Sequence, residues 1–178
     1  MGDSQPRRLE ERFVREALVI IVIISLALVQ ITLLQTPLGF PVPLLLVMVV
    51  CRALVAIGAA FPDAGIVTAL RWACYGGLAL DSFSTMPLGS HVLALLLAVL
   101  LVAGATRSLR VDGPLLPVAG VLVGSLIYEV TLAGLTQLLR APIEWHSYAL
   151  IAIVPSVLIA LIPTPPVFFF MRRLLRSE

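Results

Sequence analysis

Three ionisable residues stand inside apolar stretches of this 178-residue chain: Arg52, Arg71 and Glu129. A charge at the centre of a hydrocarbon layer costs on the order of 2.5 to 3.5 kcal/mol on insertion scales, so each must face protein, find a partner or snorkel. One arrangement would relieve two of them together, with Glu129 neutralising Arg52 or Arg71 in a bundle interior. A proton or ion relay would want several carboxylates or histidines at successive depths, and only Glu129 qualifies, so the pattern favours pairing over transport chemistry. Arg71 adjoins Trp72, an interfacial residue type, and would reach a polar surface if its helix starts late.

Other chemistry is sparse. Ser90-His91 and His146-Ser147 are lone pairs with no acidic orienter at a defined spacing, and neither fits a nucleophile elbow or a zinc site. A phosphate-cradling loop of the G-x-x-x-x-G-K type needs lysine, and all twelve basic residues are arginine. No catalytic, cofactor or metal set is therefore expected, and ATP-driven work would need a partner. Cys51 and Cys74 fall in apolar runs, where a free thiol behaves as a small hydrophobe rather than as half of a disulfide. Gly120 and Gly124 form a G-x-x-x-G, which allows close helix approach. Together with Gly76-Gly77, they are expected to pack inside one bundle.

The elements that must position these residues follow from composition. At 60% hydrophobic and 12% charged, with a mean hydropathy of +1.09, the chain lies far from the roughly 25% charged make-up of a soluble domain. Each spanning helix needs roughly 20 apolar residues, so the length holds about six. Proline, glycine and polar clusters divide the chain into predicted helices at about 17–34, 43–60, 66–80, 88–105, 117–139 and 147–171. The polar segment 1–16 reads as a short surface helix or a solvated tail, and 172–178 as a tail. Pro155, Pro163, Pro165 and Pro166 predict a kinked or broken last helix. The fold class is thus an all-α integral membrane bundle forming a single domain, and the first apolar run reads as an uncleaved anchor.

Orientation comes from the arginines. Arg7, Arg8, Arg12, Arg15, Arg107, Arg110, Arg172, Arg173 and Arg176 lie on one set of alternating connections and ends, and Arg140 alone lies on the other. That asymmetry predicts both termini on the cytoplasmic side. A net charge of +2 spread in this way gives no reason to expect nucleic acid as a partner.

From Gly76 to Gly89 the residues read Gly-Gly-Leu-Ala-Leu-Asp-Ser-Phe-Ser-Thr-Met-Pro-Leu-Gly. This stretch resembles the rod shape-determining protein MreD family, in which an apolar helix ends in Gly-Leu-x-x-Asp and a short Ser-containing loop leads to Pro-Leu-Gly. Trp145 to Ser156, where a loop aromatic precedes Pro155-Ser156, and the closing Arg172-Arg173-Leu174-Leu175-Arg176 are similar as well. Arg52 and Arg71 stand outside the pattern. The resemblance implies a multi-pass, non-enzymatic component of the bacterial inner membrane. It would bind the single-span protein MreC and help to organise MreB, RodA and a class B transpeptidase during peptidoglycan synthesis. It marks Asp81, Pro87, Leu88 and Gly89 as motif residues that shape a turn or touch a partner. From the residues themselves, Asp81 is expected to cap or end a helix, and Pro87 and Gly89 to fix the following turn.

A rival reading is the substrate-binding subunit of an energy-coupling-factor vitamin transporter, a class that MreD-like chains resemble in overall fold. Such a subunit should converge polar or aromatic groups on an outward cavity, for which Trp145, His146, His91 and Asp81 are the candidates. A membrane enzyme such as a lipid transferase would need clustered acids or metal ligands at one face, and the sequence shows none.

Overall fold

The computed structural model describes residues 4–32, 42–58, 62–109, 115–139 and 144–176. Every regular element among them is helical: α1 Ser4–Thr32, α2 Leu44–Ile57, α3 Pro62–Phe83, α4 Ser90–Leu109, α5 Leu116–Leu139, α6 Trp145–Tyr148, a π turn Ala149–Ile153, α7 Val154–Leu161 and α8 Thr164–Arg176.

α2 is the axis of the fold. Helices α1, α3, α4, α5 and α8 all pack on it, and Leu45, Val47, Val50, Cys51 and Ala53 are fully buried. Small residues let the neighbours close in. Gly120 and Gly124 of α5 face Leu54 and Val50 of α2, and Gly76 of α3 faces Leu45. The G-x-x-x-G therefore packs inside the chain. Cys51 and Cys74 are both free thiols.

The first turn of a helix leaves backbone N–H groups without intrahelical acceptors. At α2 a neighbouring helix fills this need: the Leu45 N–H donates to Oε1 of the buried Gln30 on α1 at 3.0 Å. Gln30→Leu should preserve the apolar volume but orphan that donor, lowering stability by about 1 to 2 kcal/mol. Thermal unfolding in detergent, with the exposed Gln137 substituted in the same way as a control, measures this effect.

Among the described residues three helices are long and apolar enough to cross a membrane, namely α1 from Phe13, α4 through Ser108, and α5. The segment Trp145–Leu161 joined to Thr164–Leu174 adds a fourth if the bent pair, which turns by 46°, is one span. α2 has 14 residues, about 21 Å at ~1.5 Å per residue, short of a ~30 Å hydrocarbon core. α3 is long enough but carries Asp63, Arg71 and Asp81. Of the about six spans expected from the sequence, three, or four with the bent pair, thus meet the length and apolarity of a membrane-crossing helix among the described residues.

Several boundaries move for local reasons. Much of the charged 1–16 segment is continuous with the apolar run as part of α1, neither a separate surface helix nor a tail. Residues 62–65, between the predicted helices 43–60 and 66–80, belong to α3, since Pro62 suits a first helical turn and Asp63 complements the dipole there, while Phe61 lies outside the described residues. At its other end α3 runs through Asp81 and Ser82 to Phe83, residues expected in a loop. The last segment breaks as its prolines predict. Pro155 follows the π turn, and the chain bends at Ile162-Pro163. Thr164 Oγ1 donates to the Ala160 carbonyl at 2.8 Å, supplying a hydrogen bond across the break. Pro165 and Pro166 then sit in the tolerant first turn of α8.

Candidate functional site at the α3 to α4 turn

The motif residues gather where α3 hands over to α4. A Cβ on Gly77 would stand 2.4 Å from Cα and 2.6 Å from N of Val92, so the two backbones touch and only glycine fits. One turn beyond, Asp81 is 3% exposed. Its Oδ2 accepts the Gly89 N–H at 2.8 Å, and its Oδ1 accepts the His91 N–H at 3.0 Å. An acid at the end of one helix thus caps the start of the next, where free N–H groups and the positive dipole end favour a carboxylate. Gly89 reaches this geometry at φ +96, a left-handed conformation that favours glycine.

The connecting residues hold one another. The Met86 N–H donates to Ser84 Oγ at 3.0 Å, and Ser90 Oγ donates to the Pro87 carbonyl at 2.8 Å. Thr136 of α5 contacts Met86 Sδ at 3.8 Å. Leu88, by contrast, is 79% exposed, and Phe83 and Pro87 are exposed beside it.

His91 has the acidic neighbour that the sequence did not reveal. Its Nδ1 stands 2.7 Å from Asp81 Oδ1, so the ring N–H donates to the carboxylate, and the ring lies 6.2 Å from that of Tyr128 on α5. Ten residues and a turn separate the two in sequence, a spacing that no motif announces. A nucleophilic triad still does not form, because the Ser90 hydroxyl donates to Pro87. Among the described residues no group of three or more His, Cys, Asp or Glu could hold a metal ion. Tyr128 in turn lies within electrostatic reach of Glu129 and Tyr148. Glu129 is half-buried on α5, which packs against α7, the helix that carries Ser156. Trp145 and His146 are exposed, apart from this line of groups.

The structure gives partners for two of the three charges found in apolar stretches. Arg71 forms its ion pair with Glu16 of α1, both side chains being substantially exposed. The Arg52 guanidinium lies 5.8 Å over the Trp72 ring, and Arg107 pairs with Asp63 between α4 and α3. Helix register separates Arg52 from Glu129. The contacts of Gly120 with Leu54 and of Gly124 with Val50 place Arg52 level with residue 122, about seven residues or ~10 Å along α5 from Glu129. Arg71 instead meets α1, a neighbour that no spacing rule could supply.

Asp81 thus carries out the capping role expected from its position, and Pro87 and Gly89 shape the turn. Compared with protein-family models, curated proteins and solved structures, the chain matches none.

Proposed function

We propose that this chain is a non-enzymatic, multi-pass scaffold of the bacterial inner membrane. In this reading it binds an MreC-like single-span protein and, through it, helps to organise MreB, RodA and a class B transpeptidase in peptidoglycan synthesis and rod shape. One observation supports this best. The segment resembling the MreD family folds as a stapled helical hairpin whose polar groups bond to one another, while Leu88, Phe83 and Pro87 face outward. Such a surface offers apolar contact without reactive groups, which suits docking. In the same reading all six apolar segments cross the membrane with both termini cytoplasmic. The short α2 is tolerated because neighbouring helices bury it, and the charged α3 because Asp81 is buried and hydrogen-bonded while Arg71 and Asp63 are ion-paired.

Purification of the tagged protein from native membranes tests this directly. A stoichiometric single-span protein is expected, and Leu88→Glu, which alters an exposed position, should reduce its recovery at least about fivefold without lowering the abundance of the chain itself. Unchanged recovery would remove the hairpin from the interface.

A second reading, the substrate-binding subunit of an energy-coupling-factor transporter, draws on the line Asp81, His91 and Tyr128. Convergent polar and aromatic groups of this kind could orient a small ligand. Recovery of a bound small molecule together with an ATPase module, in place of the single-span protein, would favour it.

A further inference from the structure

α8 presents two different faces. It packs on α2 and α5, and its inner face consists of Thr164, Val167, Phe168 and Met171. Thr164 and Met171 are buried, and Val167 and Phe168 lie against the core. Spacings of three and four residues place these four side chains together on one side of a helix. Phe169, 65% exposed, and the exposed Arg172 and Arg173 are thereby turned outward.

Arg172 and Arg173 follow Phe169 by three and four residues, the spacing at which helical side chains are neighbours. The Phe169 ring makes an edge contact with the Phe168 ring of the inner face, their centroids 6.3 Å apart. Both arginines stand about one turn, ~5 Å, further along the axis. The outward patch is thus aromatic at one end and cationic at the other. α8 contains no acidic residue. Among the described residues Arg71 and Arg107 are ion-paired with Glu16 and Asp63, whereas no carboxylate pairs with Arg172 or Arg173.

We propose that this patch binds an anionic phospholipid, with the phosphate held by Arg172 and Arg173 and the upper part of an acyl chain lying against Phe169. The lipid has the same order of parts as the patch, apolar and then negatively charged. Guanidinium groups suit a phosphate because their planar donors can bind two of its oxygens at once, and arginines beside a membrane segment attract anionic lipid. α8 follows the apolar segment Trp145–Leu161 across the 46° bend, so lipid is the neighbour already at hand. The site needs only that the apolar helices lie in a bilayer. It is independent of the scaffold reading and of the exposed hairpin.

Native mass spectrometry of the full-length protein in detergent tests this, with titration of dioleoyl phosphatidylglycerol against dioleoyl phosphatidylcholine. The two lipids share their acyl chains and differ in headgroup charge. The wild type is expected to bind phosphatidylglycerol about tenfold or more tightly, as two cations beside one phosphate predict. Combining Arg172→Gln with Arg173→Gln should reduce that preference to about twofold or less. Combining Arg71→Gln with Arg107→Gln removes the same charge from ion-paired positions and should leave the preference intact. Arg172→Lys with Arg173→Lys keeps the charge and should retain about half of the preference or more. Absence of a preference in the wild type, equal loss in the two glutamine variants, or a lysine variant no better than its glutamine counterpart each overturns the proposal.

Discussion

Gly77→Leu is expected to be the most damaging single substitution in the apolar half of α3. Even the first added carbon would lie 2.4 Å from Val92 Cα and 2.6 Å from its nitrogen, and helix backbone cannot swing aside as the tip of a side chain can. Overpacking of ordinary cores costs about 1 to 3 kcal/mol. Here the obstruction is main chain and the insertion is four carbons, so a loss of roughly 3 kcal/mol or more is expected. Gly77→Ala sets the same first carbon against the main chain, so it should still cost about 2 kcal/mol or more after alanine regains about 1 kcal/mol of helix propensity. Gly104→Leu provides the contrast, since nothing lies within 4 Å of its Cβ position. Unfolding midpoints in one detergent should therefore rank the wild type with Gly104→Leu, then Gly77→Ala, then Gly77→Leu. Equal midpoints for the two leucine variants would contradict the backbone contact between α3 and α4.

Asp81→Leu should come next in severity. It removes the acceptor of two backbone donors, Gly89 and His91, and of the His91 ring. A partly buried donor left without a partner costs about 1 to 3 kcal/mol, so the pair predicts about 3 kcal/mol or more. Asp81→Asn keeps one oxygen and should lose about half as much. His91→Ala leaves the backbone bond in place and should cost about 1 kcal/mol for the ring contact alone. This graded order distinguishes a cap from a reactive centre. In a catalytic dyad Asp81→Asn and His91→Ala would abolish function together, whereas in a cap their effects on stability differ. Far-ultraviolet circular dichroism during heating, at equal detergent-to-protein ratios, provides the comparison.

The same residues show how far sequence carries. Asp81 was readable as a cap because an acid followed by a Pro-Leu-Gly turn has few other roles, and Gly89 because such a turn needs a left-handed residue. Gly120 and Gly124 were readable as packing residues from their spacing. His91 was not readable as the neighbour of Asp81, since their meeting depends on how closely α3 and α4 approach at Gly77. Glu129 could be matched to a partner only loosely, because a sequence lists charges without depth or azimuth. Two arginines in nearby apolar runs looked like its partners, yet one lies about two turns away along the bundle and the other faces α1. The continuous α1 was missed for a related reason. Arginine and glutamate are good helix formers, so their polarity marks a change of surroundings and not an end of helix.

Composition and periodicity by themselves determined that the chain is helical and apolar, where most of its segments divide, and that its final segment must break at its prolines, because these properties depend on backbone chemistry and local burial. Only the tertiary structure decided that α2, too short to span alone, becomes the buried axis, that Asp81 closes on His91, and that Arg71 pairs with Glu16 of α1. Each of these depends on the register between helices, which is set by contacts of small residues far apart in the chain and leaves no mark in any single stretch of it.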